Sequence, residues 1–143
     1  MPQTARACIK FLEHMKIDLN SKDIIIANSN NIIGKPLLNY LNAKKSTVTL
    51  FNSKTINQEE KIKNADIFIS AIGKPNYYNK KYFKDGQIII DVGTSFVDGK
   101  MYGDIDYEDI EDMDLTVVKS RNGVGSITTL CLIESLVKSA MLN

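Results

Sequence analysis

Asp23-Ile24-Ile25-Ile26-Ala27-Asn28-Ser29-Asn30-Asn31-Ile32-Ile33-Gly34-Lys35-Pro36 starts as a solidly apolar run and crosses an asparagine-rich turn to a proline. A run of about five residues, apolar at every position and rich in β-branched side chains, suits a strand covered on both faces, as in a parallel sheet. Pro36 suits the first turn of a helix, where its missing N–H has no intrahelical partner to lose. The stretch predicts a strand, a turn and a helix from Gly34 to Lys45.

The same pattern recurs downstream. Asp66-Ile67-Phe68-Ile69-Ser70 and Gln87-Ile88-Ile89-Ile90-Asp91 are equally apolar. Ser46-Thr47-Val48-Thr49-Leu50-Phe51 alternates and suits a strand nearer an edge, and Leu115-Thr116-Val117-Val118 is a fifth candidate. Between them, Asn57 to Asn64 predicts a short polar helix capped by Asn57, and Tyr78 to Lys84 another short one. Two longer amphipathic helices bracket the chain, Thr4 to Lys16 and Ser126 to about Leu142. In the second, Leu130, Ile133, Leu136, Val137 and Ala140 recur at helical spacing. Alternation of strands and helices predicts an α/β, Rossmann-like, doubly wound and mostly parallel sheet flanked by helices. With no internal repeat, low-complexity tract or linker, residues 1–143 read as one domain.

Composition agrees. Of 143 residues, 43% are apolar and 24% charged, a globular balance. Eighteen basic against 17 acidic side chains leave a net charge of +1, which argues against a nucleic-acid or anionic-membrane surface. Two cysteines and one histidine are too few for a disulfide framework or a Cys/His zinc site, so no metal is expected. Cys8 and Cys131 read as small buried hydrophobes in a reducing compartment. With no membrane-length apolar stretch and no secretory leader, the expected location is cytoplasmic.

In a doubly wound sheet, the loop leaving the first strand faces the crevice in which a dinucleotide lies, and amides at the next helix start attract its pyrophosphate. Only Gly34 survives of the usual glycine pattern. Asparagine tolerates positive φ better than most residues, so Asn28, Ser29, Asn30, Ile32 and Ile33 are candidates for that turn. A plain asparagine-rich turn is the alternative. At the end of the second strand, no Asp or Glu is present to grip a ribose 2′-hydroxyl. Ser53 and Lys54 would instead meet a 2′-phosphate, favouring NADP, unless they are a solvated strand end.

Further glycine-bearing strand ends follow. Ala71-Ile72-Gly73-Lys74-Pro75 and Asp91-Val92-Gly93-Thr94-Ser95 leave apolar strands, and Asn122-Gly123-Val124-Gly125-Ser126 opens the last helix. Several such loops on one edge predict a binding cleft. The acidic segment Asp104 to Asp114 lacks the glycine a calcium loop needs and reads as solvated surface. His14 stands alone on the first helix, and no Ser-His-Asp or Cys-His arrangement is present, so no catalytic residue is named.

Together these motifs resemble the C-terminal, NAD(P)-binding domain of FolD-type bifunctional methylenetetrahydrofolate dehydrogenase/methenyltetrahydrofolate cyclohydrolases. Pro2-Gln3-Thr4-Ala5-Arg6-Ala7 is similar to the family's Pro-Cys-Thr-Pro-x-Gly segment, and Ile32-Ile33-Gly34-Lys35-Pro36 to its Ile-Val-Gly-Lys-Pro. Thr47-Val48-Thr49, Asn52-Ser53-Lys54-Thr55, Ala65-Asp66-Ile67, Gly73-Lys74-Pro75 and Ile90-Asp91-Val92-Gly93 match in order and spacing. So do Asp98-Gly99-Lys100, Gly103-Asp104-Ile105-Asp106 and Gly123-Val124-Gly125.

The resemblance implies a domain that binds NADP or NAD, the choice unresolved, in an enzyme of folate one-carbon metabolism. Such enzymes pass a hydride from methylenetetrahydrofolate to NAD(P)+ and hydrolyse the methenyl product. Folate lies against a separate N-terminal domain carrying the catalytic Lys, its Tyr partner and the pterin-binding Asp. This chain therefore meets tetrahydrofolate only together with such a domain and is not expected to be catalytic alone. A homodimer is also implied. The cofactor-facing candidates are Thr4, the 28–33 turn, Ser53 and Lys54 toward the adenosine ribose, Ala71, Gly73, Gly93 and Thr94 along the nicotinamide half, and Gly123, Gly125 and Thr128 closing it.

Departures concentrate at the binding loops. The family's Gly-Arg-Ser is Asn28-Ser29-Asn30, which removes the arginine that usually meets the cofactor phosphate. Its proline-rich loop is Val118-Lys119-Ser120-Arg121-Asn122-Gly123-Val124-Gly125-Ser126. The competing expectation is accordingly a degenerate, non-catalytic module with a structural or oligomerisation role.

Overall fold

The computed structural model describes residues 3–120, 130–134 and 141–142. In chain order these form α1 (Gln3–His14), β1 (Asp23–Ala27), α2 (Gly34–Ala43), β2 (Thr47–Leu50), α3 (Gln58–Lys63) and β3 (Ile67–Ser70). A single 3-10 turn (Lys80–Tyr82), β4 (Ile88–Asp91), β5 (Ser95–Val97), β6 (Lys100–Tyr102), β7 (Thr116–Ser120), β8 (Leu130–Glu134) and β9 (Met141–Leu142) follow.

The main sheet runs β2-β1-β3-β4-β7-β8-β9. Its first five strands are parallel, with Ile24 level with Val48 on one side and with Ile67 on the other. β8 and β9 extend it antiparallel. The chain leaves β1 to one side for β2 and returns to the other side as β3, so the order reverses between β1 and β3. That crevice is where open α/β sheets take ligands.

The unbroken apolar runs are explained by two cores, one on each face. Side chains alternate along a strand, so successive residues serve opposite faces. Ile24, Ile26, Ile67, Ile69, Ile90 and Val118 pack with α1 and α2 through residues such as Leu12, Leu37 and Leu41. Ile25, Phe68, Ile89 and Val117 pack on the other face with Ile62 of α3, Tyr78, Phe83 and Ile110. Cys8 is fully buried in the first core, where burial pushes its thiol up to about 12. His14 ends α1 exposed.

Three local expectations are corrected. Where helical spacing predicts a helix from Ser126 to about Leu142, Leu130–Glu134 is a strand paired to β7 and Met141–Leu142 a short strand on β8. Leu130-Cys131-Leu132-Ile133 is apolar at every position, and such a run suits a buried strand as well as a helix. Asn57 does precede α3, but at φ 57° and without a side-chain capping bond. The acidic segment is not uniformly solvated, because Asp104 is completely buried while Glu108, Asp109, Glu111, Asp112 and Asp114 are exposed. One hairpin is additional: β5 and β6 turn through Asp98 and Gly99, at φ 51° and 80°, the positive pair that a tight two-residue turn requires.

Candidate functional site

A cleft of about 370 Å³ opens at the carboxyl ends of β1, β2 and β3, beside the switch point. Ala27, Asn28, Ser29 and Asn30 form its floor on the β1 side, and Phe51, Asn52 and Ser53 follow β2. Ala71, Ile72 and Lys74 come from the loop after β3. Tyr77 and Tyr78 complete an aromatic wall, their rings edge to face with centroids 4.9 Å apart. Tyr77 is 41% exposed, whereas Tyr78 is buried and donates through its hydroxyl to Gln58 Oε1 at 3.1 Å. Burial raises the Tyr78 hydroxyl above the ordinary tyrosine range.

Side chains within the turn organise it. Asn28 Oδ1 accepts from the amides of Asn30 at 2.9 Å and Gly34 at 3.2 Å, while Asn28 Nδ2 donates to the carbonyl of Ala71 at 2.8 Å. Asn30 Oδ1 accepts from the amides of Ile32 at 3.0 Å and Ile33 at 2.8 Å. The amides of Asn30, Ile32, Ile33 and Gly34 thus already have acceptors. Gly34 is required by packing, since a Cβ there would overlap the Asn28 carbonyl.

Two buried carboxylates set the loops on the β3 and β4 side. Asp104 accepts from Ser70 Oγ at 2.6 Å, Ile72 N at 2.8 Å and Lys74 N at 3.1 Å, and so holds the loop that walls the cleft. Asp91 accepts from the amides of Gly93, Asp104 and Ile105 and from the Tyr107 hydroxyl. Burial pushes Asp91 up to about 6, opposed by its hydrogen bond from Tyr107. Burial and the Asp91 charge raise Tyr107 well above its ordinary value. Gly93 and Gly103 lie against this pair: a Cβ on Gly93 would overlap the Asp104 carboxylate, and one on Gly103 the Asp91 carboxylate. A second cavity, of about 140 Å³, lies beside Asp91, Gly93, Tyr107 and Lys119.

Of the residues singled out in the sequence, Asn28, Ser29, Asn30, Ser53 and Ala71 meet in the larger cleft, and Gly93 lines the smaller cavity. Ile33 packs against the first core, and Ile32 is 61% exposed. Lys54, Gly73 and Thr94 sit on the same sheet edge outside both linings, and Thr4 lies half-buried on α1. Gly123, Gly125 and Thr128 fall outside the described residues. Ala27, Phe51, Asn52, Gln58, Ile72, Lys74, Tyr77 and Tyr78 line the cleft without having been among the expected site residues. Five of the eight, Ala27, Phe51, Asn52, Ile72 and Lys74, lie at strand ends already named, and that adjacency was the available signal. Among the described residues no cluster of His, Cys, Asp and Glu could hold a metal, and no helix is long and apolar enough to cross a membrane.

The sequence and the fold have counterparts among known proteins. The sequence model of the tetrahydrofolate dehydrogenase/cyclohydrolase NAD(P)-binding domain matches residues 2–143. The bifunctional protein FolD of Clostridium novyi is 40% identical over 136 residues, covering 95% of this chain and 49% of that protein. The bifunctional FolD methylenetetrahydrofolate dehydrogenase/cyclohydrolase of Campylobacter jejuni superposes with a TM-score of 0.78 at 31% identity, over 83% of this chain and 42% of that one. The Trypanosoma brucei enzyme, solved with NADP cofactor and inhibitor, superposes at 0.69 with 27% identity, over 76% of this chain and 39% of that one. The chain spans about half the length of these relatives. With a domain match over residues 2–143, the chain belongs to the tetrahydrofolate dehydrogenase/cyclohydrolase NAD(P)-binding domain family.

Proposed function

We propose that this chain is the cofactor-binding half of a methylenetetrahydrofolate dehydrogenase/methenyltetrahydrofolate cyclohydrolase, with its NAD(P) site at the switch point between β1 and β3. The observation that carries this is the convergence of Asn28, Asn30, Ser53 and Ala71 from three strand ends on one cleft. Its volume suits the nucleoside portion of a dinucleotide, with Phe51, Ile72 and Tyr77 supplying apolar faces and Asn52, Ser53 and Gln58 hydrogen-bonding groups. Ser53 faces the place where the adenosine ribose would lie, and Lys54 follows it. The remainder of the cofactor would extend along the β4 edge past Gly73, Gly93 and Thr94. Thr4, Gly123, Gly125 and Thr128 are assigned to the same proposed site.

When bound, the nicotinamide supplies the hydride acceptor. The residues of this chain bind and orient; proton transfer and folate binding are assigned to a separate N-terminal domain, as the family resemblance implies. The whole assembly acts as a homodimer. The buried free thiol of Cys8 supports a reducing, cytoplasmic setting, and the near-neutral charge balance supports no nucleic-acid or anionic-membrane partner.

Calorimetric titration of the 143-residue chain with NADP+ and, separately, NAD+ tests the proposal. Saturable binding of either is expected. A folded chain that binds neither overturns it and favours a structural module.

A further inference from the structure

The cleft and its turn have an unusual division of labour. Four of the backbone amides that a pyrophosphate could address at the approach to α2 already have acceptors within the chain: Asn28 Oδ1 serves the amides of Asn30 and Gly34, and Asn30 Oδ1 those of Ile32 and Ile33. Asn28 is anchored across the crevice by its bond to the Ala71 carbonyl, so turning it away would cost that bond as well. Asn30 is exposed on the cleft lining, and its Oδ1 tethers only amides of its own turn.

The lining carries little charge. Among the described residues Lys74 is the one charged side chain on it, and its ammonium is engaged with an aromatic face, 5.2 Å from the Tyr77 ring centroid. The remaining lining is aromatic, aliphatic or neutral and hydrogen-bonding, which suits a planar heterocycle on a sugar.

We propose that this crevice selects its ligand through an aromatic nucleoside moiety rather than through its pyrophosphate, with Asn30 acting as the specificity-determining residue that caps the turn against that anion. The inference rests on the dinucleotide reading above and adds which part of the ligand carries recognition. A phosphate oxygen can displace the Asn30 carbonyl only by exchanging one acceptor for another. Its net gain is the difference between a charged and a neutral hydrogen bond, reduced by the advantage of an acceptor already tethered in place.

The test is competition calorimetry on the full 143-residue chain with adenosine, ADP, NAD+ and NADP+, at about 50 mM and about 200 mM salt. Adenosine and ADP are expected to bind within about threefold of each other, with little salt dependence. Asn30→Gly, checked for folding by circular dichroism, frees two amides and should raise the ratio of ADP to adenosine affinity about tenfold. Asn30→Asp keeps the cap but adds a negative charge, and should lower that ratio below the wild-type value.

Wild-type binding of ADP about thirtyfold or more tighter than adenosine, steep in salt, overturns the inference while leaving the dinucleotide site standing. A ratio unmoved by Asn30→Gly also overturns it. No binding of any of the four compounds to folded wild-type chain overturns both this inference and the function on which it rests.

Discussion

Asn28 Nδ2 donates to the carbonyl oxygen of Ala71 at 2.8 Å, joining the turn after β1 to the loop after β3 across the topological switch. The side chain thereby closes the base of the crevice, and its Oδ1 simultaneously holds the turn that leads to α2. One neutral residue links the two loops that any ligand here must pass between.

Asn28→Ala removes one donor and one doubly used acceptor from partly buried surroundings. The expected loss is about 1–3 kcal/mol of unfolding free energy, measured by urea denaturation. Asn28→Asp keeps the acceptor for Asn30 and Gly34 but loses the donor to Ala71, so it should recover only part of that loss. Equal stability of wild type and Asn28→Ala would show that the bridge contributes nothing.

Asp91 gives the fold a defined pH dependence. Its carboxyl rises from an ordinary value of 3.8 to about 6 through burial, so the folded state holds this proton more tightly than the unfolded chain does. The resulting stabilisation is complete below about pH 4 and is lost as pH rises through about 6, a change of about 3 kcal/mol. Denaturation of wild type and Asp91→Asn at pH 4, 5, 6 and 7 (round values of about one-unit spacing) should show this component in the wild type alone. Parallel pH profiles for the two proteins would refute it.

Gly34→Ala and Gly93→Ala should both lower the melting temperature, by different routes. At Gly93 the added methyl meets the carboxylate of Asp104, a side chain already held by Ser70, Ile72 and Lys74. An overpacking cost of about 1–3 kcal/mol is expected. At Gly34 the obstacle is the backbone carbonyl of Asn28, which moves only with the end of β1, so the cost should be at least as large. Scanning calorimetry reads both, and a Gly34→Ala variant melting with the wild type would contradict the placement of α2.

Lys54 is exposed beside Ser53 at the end of β2. In the proposed site, Lys54→Ala should weaken NADP+ binding by up to about tenfold while leaving NAD+ affinity nearly unchanged, because only NADP+ carries the 2′-phosphate. Parallel loss for both cofactors, or for neither, would remove Lys54 from that role.

Much of this was legible beforehand because the relevant physics is local. Ile24 to Ala27, Ile67 to Ser70 and Ile88 to Asp91 are apolar without interruption because both faces of each strand are covered, and few other contexts produce that pattern. The candidate turn was legible too, since it directly follows the first such strand. Leu130 to Glu134 was not, because an apolar run supports either period and its pairing with β7 depends on a distant segment.

The sequence by itself determined the alternation of strands and helices, the parallel sheet and the edge on which its loops gather, since these follow from periodicity and chain order. Only the tertiary structure decided how individual polar groups are used. Asp104 sits in an acidic run that looks solvated, yet the chain folds back to place its carboxylate among the donors of Ser70, Ile72 and Lys74, roughly thirty residues earlier in the chain. Asn28 and Asn30 look like surface turn residues until their side chains are seen to hold the amides before α2. A buried charge is tolerated only where enough donors converge on it, and that convergence is a property of the folded chain in space, invisible to any local pattern.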